Sequence, residues 1–348
     1  MPLRELGRDG PMVGAIGFGC LSLSGYYGGG ALDETAAIRL IHGAIDLGVT
    51  LLDTADMYGM GDNERVLGKA IAHRRDAVFV ATKFGNILDS TGKIIGISGR
   101  PDFVRRSCEQ SLRRLGIEAI DLYQQHRIDR ETPIEETVGA MQELVDEGKV
   151  RFIGVGEARP SDLRRAVATA TITTLQSEYS LFVRAPESDD VLSVCEELGV
   201  GFLAYAPLGR GLLAGRFPGP DEFVEGDSRA KGLYPWLTGD DLEHNRALVH
   251  ELGNVAAELG ATTAQASLAW LLSEREWIVP IPGTRHAEYV EQNISAAFLE
   301  LPESSRRRLD ALGRNALGDR YNAHHMPTWT SSPSESSPPP APEARRHV

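Results

Sequence analysis

The chain has 348 residues, of which 42% are hydrophobic and 24% are charged, a balance that is typical of a globular protein with a large core. Its formal net charge of −13 argues against a nucleic-acid-binding surface, which usually shows as a basic patch. Its three cysteines are scattered, so we expect neither a disulfide framework nor a metal site. No stretch approaches eighteen apolar residues and the N-terminus lacks a signal-peptide pattern, so we expect a cytoplasmic protein with no membrane partner.

Short apolar strands alternate with amphipathic helices along most of the chain. A hairpin around a turn at 7–11 leads into a first strand at 13–19, and a helix that Asp33 caps ends at Leu47. Further strands are predicted at 49–53, 78–83, 120–125, 152–156, 174–177, 201–206 and 277–281. Further helices are predicted at 63–72, 102–115, 134–148, 161–169, 187–199, 240–259, 263–274 and 287–297. Eight such units predict an α/β fold, a (β/α)8 TIM barrel with an N-terminal β-hairpin.

A doubly wound open sheet is the structural alternative. It would bring a Rossmann site, but GAIGFG at 14–19 and GVGEAR at 154–159 lack the full G-x-G-x-x-G spacing at the start of a helix. The loop at 217–237 is longer than an ordinary barrel connection and is either a lid or a surface excursion packed by its own aromatic residues. We expect residues 1–316 to form the barrel and 317–348 a C-terminal extension that is Pro/Ser-rich and disordered from about 331.

Polar side chains end three consecutive predicted strands. Asp53, Lys83 and His126 follow the second, third and fourth strands, and Tyr58 lies on the loop after the second. The carboxyl ends of barrel strands meet at one mouth, so we expect these four side chains to lie together. One buried histidine alone is more often a core residue, but of nine histidines only His126 directly follows a predicted strand.

The four residue types suit the polarisation of a carbonyl group. Lys83 is expected to lower the pKa of the Tyr58 phenol, and Asp53 to keep the ammonium charged through an ion pair. A neutral His126 could donate a hydrogen bond to a carbonyl oxygen. The sequence has no activated Ser or Cys motif and no HxH or HExxH pair, so an external hydride donor is the best match.

Several longer motifs resemble the aldo-keto reductase superfamily between about residues 3 and 312. They include LLDTADMYG at 51–59, NERVLGKAI at 63–71, SLRRLGIEAIDLYQQHRID at 111–129, AYAPLGRGLLAGRF at 204–217 and IPGTRHAEYVEQN at 281–293. The sequences QHRID at 125–129 and AYAPLGRGLL at 204–213 are most similar to the microbial and plant branch that contains pyridoxal-type and aryl-alcohol-type reductases. The resemblance implies NADPH-dependent reduction of an aldehyde or ketone to an alcohol.

Residue roles follow from the same resemblance. Tyr58 would be the general acid, Lys83 and Asp53 its tuning pair, and His126 the substrate-orienting group. NADPH, rather than NADH, would bind without a Rossmann domain. The implied cofactor residues are Gln176 on the nicotinamide carboxamide, Tyr205 on the ring face, Arg285 on the 2′-phosphate, and Pro207, Leu208, Gly209, Gly211, Leu213, Gly283, Thr284, Gln292 and Asn293 along the remainder.

The sequence departs from the family pattern at two cofactor positions and leaves other activities open. Gly156 and Glu157 stand where many relatives have Ser-Asn, and Gly283 stands where better-known members have lysine. The alternatives are a cofactor-binding regulatory subunit resembling potassium-channel β-subunits and a lyase with Lys83 as Schiff-base nucleophile. The substrate is expected to be a small carbonyl compound, with Tyr26, Tyr27, Phe84 and Trp236 as candidate pocket walls; the oligomeric state stays open.

Overall fold

The computed structural model describes residues 1–219, 222–326 and 330, without the side chain of Lys231. The predicted disorder from about residue 331 lies outside the described residues. The strands are β1 (Leu3–Glu5), β2 (Met12–Gly14), β3 (Phe18–Gly19), β4 (Leu51–Asp53), β5 (Phe79–Phe84), β6 (Asn86–Leu88), β7 (Ile94–Ile97), β8 (Ile120–Gln125), β9 (Val150–Gly156), β10 (Ile172–Glu178), β11 (Gly201–Tyr205) and β12 (Ile278–Pro280).

Helices follow most of these strands and carry the expected start and stop signals. They are α1 (Glu34–Asp46), α2 (Asp62–Ile71), α3 (Pro101–Leu115), α4 (Ile134–Asp146), α5 (Pro160–Thr169), α6 (Ala185–Ser188), α7 (Val191–Leu198), α8 (Gly239–Glu258), α9 (Thr263–Glu274), α10 (Ala287–Ser295) and α11 (Glu303–Arg314). The Asp33 side chain accepts from Ala36 N at the start of α1. No described helix is long and apolar enough to cross a membrane.

Eight parallel strands form the central sheet in the order β3, β4, β5, β8, β9, β10, β11 and β12. Two hydrogen bonds join its edges, from Gly17 N to Pro280 O at 2.9 Å and from Gly19 N to Pro282 O at 3.1 Å. The sheet therefore closes on itself, which confirms the (β/α)8 barrel and excludes the open doubly wound alternative.

The barrel interior is filled by apolar side chains from the strands and from the antiparallel β1–β2 hairpin. This inner cluster consists of Leu6, Val13, Leu51, Ala81, Leu122, Leu203, Val279 and Ile281. Leu6 and Val13 come from the hairpin, so the hairpin plugs the end of the barrel at which the strands begin. The opposite end of the barrel, at which the parallel strands end, is open to the cavity described below.

The structure corrects three details of the sequence interpretation. The predicted strand at 13–19 is divided, because β2 pairs within the hairpin while β3 enters the barrel. The predicted helix at 187–199 is broken into α6 and α7, since Asp190 takes a left-handed conformation with φ of 58°. The β6–β7 hairpin and helix α11 were not predicted, although the turn letters DSTG at 89–92 between two apolar runs were a usable hairpin signal.

Residues beyond α11 return across the barrel. Leu317 N donates to Asn245 Oδ1 at 3.0 Å, and Asn245 Nδ2 donates back to Leu317 O at 2.9 Å. Asn322 N then donates to Leu233 O at 3.0 Å. These bonds fix the described part of the C-terminal extension, residues 317–326, against α8 and the loop that precedes it; we call this part the C-terminal segment.

Candidate active site

The four predicted catalytic residues converge at the mouth where the parallel strands end. Asp53 is the last residue of β4, Lys83 lies near the end of β5, and His126 follows β8 directly. Tyr58 comes back over these strands on the loop after β4. All four line a cavity of about 720 Å³, so the sequence prediction that they lie together is met by the geometry.

Asp53 and Lys83 form a buried ion pair that Tyr58 and Gln176 extend. Lys83 Nζ lies 2.5 Å from Asp53 Oδ1 and donates to Thr54 O at 2.8 Å and to Tyr58 OH at 3.5 Å. Gln176 Nε2 donates to the other Asp53 oxygen at 2.8 Å. Both carboxylate oxygens and the ammonium therefore have partners, as buried charges require.

The pKa of Tyr58 lies in the opposite direction from the sequence expectation. Burial raises it well above 10, and the negative charge of Asp53 adds to the shift. The removal of water from a phenol that is 8% exposed outweighs the favourable charge of Arg127, because a buried phenolate loses its hydration. Tyr58 therefore keeps its proton at neutral pH and can only release it as another charge changes nearby.

His126 faces Tyr58 edge-on, with the two ring centroids 5.9 Å apart and the planes at 79°. Burial and the positive charges of Lys83 and Arg127 hold the pKa of His126 well below 6.5. The imidazole is therefore neutral. Its Nδ1 is buried without a hydrogen-bond partner among the described residues, and the ring also lines the cavity.

Asp56 is a buried carboxyl next to this site that the sequence analysis did not single out. Burial and the nearby Glu64 raise its pKa from 3.8 to about 8, and its Oδ1 has no hydrogen-bond partner among the described residues. The folded protein therefore holds a proton that the unfolded chain releases near pH 4. The free energy of unfolding should fall between about pH 4 and pH 8 on account of this group.

The variant Asp56→Asn should remove that pH dependence. The melting temperature of the variant minus that of the wild type should increase from pH 5 to pH 8. Asp89→Asn is the matched control. Hydrogen bonds from Thr91 lower the pKa of Asp89, so this carboxylate is ionised in both the folded and the unfolded protein over this pH range. A flat difference for Asp56→Asn across pH 5 to 8 would contradict the assignment.

The cofactor residues implied by the resemblance mostly surround the same cavity. The lining includes Gln176, Tyr205, Pro207, Leu208, Gly211, Gly283, Thr284, Arg285, Gln292 and Asn293. Gly209 and Leu213 are not among the lining residues, and the side chain of Leu213 is fully buried.

Three backbone N–H groups of the loop after β11 are already bonded within the loop. The N–H groups of Gly209, Gly211 and Leu213 donate to carbonyl oxygens within the loop. Gly211 has a φ of 104°, a conformation that L side chains rarely adopt, which explains the glycine. Arg210 also takes a left-handed φ of 55°, and its side chain pairs with Glu178 at 2.8 Å.

Two other cofactor residues already have partners within the protein. Gln176 uses one N–H of its amide on Asp53, so its carbonyl oxygen and its second N–H remain to face a carboxamide. Arg285 Nη1 donates to Gly28 O at 2.8 Å, so its guanidinium spans the cavity mouth. Arg216 was missed, although it lines the cavity near Arg285 and its guanidinium lies 4.9 Å from the Tyr289 ring centroid.

Glu157 has a structural role that explains the departure from Ser-Asn. It is 2% exposed and pairs with Arg320, and positive charge from Arg320 and Arg127 lowers its pKa despite burial. Arg127 lies 3.7 Å from a Glu157 oxygen. Sequence reasoning could not find Arg320, because its partner is 163 residues away and no local pattern marks it.

The expected pocket walls are only partly correct. Tyr26 and Tyr27 line the cavity, whereas Phe84 is fully buried and stacks on Tyr123 with centroids 4.7 Å apart. Trp236 is 2% exposed and belongs to the core, and the cavity is lined instead by its neighbour Tyr234.

Among the described residues, no group of three or more His, Cys, Asp and Glu side chains is placed to hold a metal ion.

A sequence model described as the aldo/keto reductase family matches residues 15–314. The chain belongs to the aldo-keto reductase family. It is 41% identical over 329 residues to probable aldo-keto reductase 1 of Glycine max, which covers 93% of each chain. It is also 39% identical over 328 residues to the aldo-keto reductase yakc [NADP(+)] of Schizosaccharomyces pombe, covering 92% of this chain and 94% of the relative.

Solved structures of the family have the same fold. The structure of a glycerol dehydrogenase from Gluconobacter oxydans superposes with a TM-score of 0.81 at 28% identity, covering 92% of this chain and 97% of the other. An aldo-keto reductase from Bacillus halodurans in its holo form superposes with a TM-score of 0.74 at 29% identity, covering 93% and 99%. As a member of this family, the chain is an oxidoreductase on a barrel whose mouth carries the site described above.

Proposed function

We propose that this aldo-keto reductase uses NADPH to reduce an aldehyde or ketone to an alcohol, with Tyr58 as the general acid. The observation that carries the proposal is the buried set at one cavity: Tyr58 OH is 3.5 Å from Lys83 Nζ, which is itself paired with Asp53. In this set, the protonated Tyr58 hydroxyl is the donor, and the positive charge of Lys83 lies next to it. That arrangement suits protonation of an oxygen on which negative charge develops.

Tyr58 donates its proton as the carbonyl oxygen becomes an alkoxide. The high pKa of the phenol keeps the proton in place until that charge appears. The Lys83 ammonium then stabilises the phenolate that remains, and Asp53 holds the ammonium within reach. Gln176 fixes the second oxygen of Asp53, so the ion pair cannot rotate away from the phenol.

His126 binds and orients the substrate. Since its pKa is low, the ring is neutral and offers an N–H donor without placing a second positive charge beside Lys83. His126 and Tyr58 line the same cavity and their rings meet edge-on, so one carbonyl oxygen would accept from both side chains. Two donors on one oxygen polarise the C=O bond and fix its orientation.

The residues of the cavity fit an extended nicotinamide dinucleotide. Tyr205 offers a ring face, Gly211 lets the backbone of its loop come close, and Arg216, Arg285 and His286 add positive or polar groups to the same cavity. When bound, the cofactor would supply the hydride that reaches the carbonyl carbon. The NADP(+) in the printed name of the S. pombe relative supports NADPH as that cofactor.

The test is a titration of the purified protein with NADPH and NADH, followed by loss of nicotinamide absorbance with 4-nitrobenzaldehyde, pyridoxal or methylglyoxal. Binding of NADPH with turnover of at least one carbonyl compound is expected. Tight binding without turnover of any would favour the alternative of a regulatory subunit resembling potassium-channel β-subunits. No binding would contradict both.

The lyase alternative requires Lys83 as a free nucleophile. Its side chain is 2% exposed, and its ammonium donates to Asp53, Thr54 and Tyr58. A Schiff base needs a free amine, whereas this nitrogen is occupied by the ion pair with Asp53 and by two further hydrogen bonds. Borohydride in the presence of a carbonyl substrate should therefore leave no covalent adduct on Lys83, as mass spectrometry would show.

Arg285 should contribute to the preference for NADPH over NADH. Its fork suits phosphate oxygens, and it lines the same cavity as Tyr205. Arg285→Ser is expected to weaken NADPH binding by about 10- to 100-fold, the value of a hydrogen bond between charged groups, with a smaller effect on NADH. Arg307→Ser, an exposed arginine on α11, is the control, and equal losses for both cofactors would contradict the role.

A further inference from the structure

Arg320 lies in the C-terminal segment, beyond the last helix, yet its side chain is within the mouth of the barrel and is 6% exposed. The family match ends at residue 314, so the position lies outside the matched region. The sequence interpretation placed it in the C-terminal extension and gave it no role in the site. Its contacts indicate a role in the site.

The guanidinium of Arg320 binds three groups on consecutive barrel strands. Its Nε donates to Glu178 Oε2 at 2.9 Å, and its Nη1 donates to Glu157 Oε2 at 3.1 Å. Its Nη2 contacts Glu157 Oε1 and also donates to Tyr205 OH at 2.7 Å. Two buried carboxylates and one phenol are thus held by a single side chain.

Tyr205 is held by its hydroxyl from several sides. Besides the short bond from Arg320, its oxygen lies 3.2 Å from Tyr321 OH and 3.4 Å from Arg127 Nη2. The bond from Arg320 is the shortest of the three and involves a charged donor, so it is the strongest. A tyrosine fixed at its hydroxyl has lost the freedom to swing its ring, which lines the cavity.

The chain on either side of Arg320 is fixed independently of the site. Asn245 exchanges two hydrogen bonds with Leu317, and Asn322 donates to Leu233 O and, through its side chain, to Gly232 O. The guanidinium therefore approaches Tyr205 from an anchored backbone. An anchored donor holds its acceptor at a lower entropic cost than a mobile one.

We propose that Arg320 is a positioning residue that fixes the Tyr205 ring as the surface for the nicotinamide, so that the C-terminal segment completes the cofactor half of the site. The inference rests on the proposed function, because it concerns NADPH. Arg320 does not touch the reacting atoms and acts through Tyr205. It also neutralises Glu157, which directly follows β9, and Glu178, the last residue of β10. Without Arg320, these two carboxylates would repel anionic parts of the cofactor.

Lysine cannot replace arginine in this arrangement. One ammonium can carry the charge, but it lacks the planar fork that reaches Glu157, Glu178 and Tyr205 at once. Arg320→Lys should therefore retain the charge balance and lose the bond to Tyr205. Tyr205→Phe removes the same bond together with the longer contacts to Tyr321 and Arg127, keeps the ring, and leaves both ion pairs of Arg320 in place.

The experiment is a double-mutant cycle of Arg320→Lys and Tyr205→Phe in the full-length protein. NADPH affinity is measured by quenching of tryptophan fluorescence, the single-turnover rate at saturating NADPH by stopped flow, and folding by the melting temperature. Each single variant should bind NADPH about tenfold more weakly, as expected for one lost hydrogen bond to a charged group. The NADPH affinity of the double variant should equal that of the single variant with the lower affinity, because both changes remove the same bond.

Three results would overturn the inference. A lower melting temperature for Arg320→Lys with unchanged NADPH affinity and single-turnover rate would leave Arg320 a purely structural residue. Losses that multiply in the double variant would mean that Arg320 does not act through Tyr205. Unchanged affinity of Tyr205→Phe, which keeps every ion pair, would also reject the inference even if Arg320→Lys fails to fold.

Two controls separate this inference from the proposed function. Arg314→Lys changes an exposed arginine on α11 that pairs with Asp310, and it should leave NADPH affinity unchanged. The wild type must bind and turn over NADPH in the same assays. If it binds no NADPH, the proposed function fails together with the inference, whereas a normal wild type beside an unaffected Arg320→Lys variant rejects the inference alone.

Discussion

Replacement of Tyr58 by phenylalanine should slow carbonyl reduction by about 10²- to 10⁴-fold, the usual contribution of a general acid. The variant loses the only proton donor that lies against Lys83 among the described residues, and the ring remains to fill its place. Because the phenol takes no part in the Asp53 pairing, the ion pair and the cofactor end of the cavity are unaffected. The dissociation constant for NADPH should stay within about twofold while the single-turnover rate falls.

Tyr26→Phe is the matched control for that variant. Tyr26 packs edge-on against Tyr58 with centroids 5.9 Å apart and lines the same cavity, but no hydrogen bond described for the site joins it to Lys83. Its loss should change the Michaelis constant for the carbonyl compound more than the turnover number. Full activity of Tyr58→Phe, or an equal loss in both variants, would contradict the assignment of Tyr58 as the acid.

Lys83→Met should be damaging in two ways at once. Asp53, 3% exposed, would keep its charge without the partner at 2.5 Å, and breaking a buried pair in this way costs about 3–5 kcal/mol of the free energy of unfolding. The phenolate formed at Tyr58 would also lose its stabilising charge, which should lower turnover by about 10²- to 10³-fold. Denaturant unfolding and single-turnover kinetics measure the two effects separately.

A second substitution distinguishes the two consequences. Asp53→Asn combined with Lys83→Met leaves no buried charge unpaired, so most of the lost stability should return. Turnover should stay low, because the phenolate still has no positive charge beside it. Recovery of turnover in the double variant would show that Lys83 acts only as a structural partner of Asp53.

The catalytic cluster could be predicted because its signal is local. Asp53, Lys83 and His126 each end a short apolar strand, and parallel strands of a barrel bring their carboxyl ends to one mouth. The left-handed Asp190 could not be predicted in the same way. It interrupts a run with good helical periodicity, and only the conformation of the folded chain shows where the helix breaks.

The partners of the polar residues were much harder to predict than their positions. Gln176 pairs with Asp53 across 123 residues of sequence, and Arg320 with Glu157 across 163. The periodicity of apolar residues along the chain gives no information on contacts between residues so far apart in sequence. The direction of the Tyr58 pKa shift was also wrong from sequence alone, since it depends on how much water burial removes and not only on which charges are near.

The hairpin that plugs the barrel has a consequence for the order in which the molecule can assemble. Arg4 donates to the carbonyl oxygens of Ile278 and Arg275, contacts that span 274 and 271 residues of chain. During synthesis neither of these bonds can form until the last strand has left the ribosome. The barrel therefore reaches its final packing only after nearly the whole chain is made, and folding depends on contacts that are among the slowest to form.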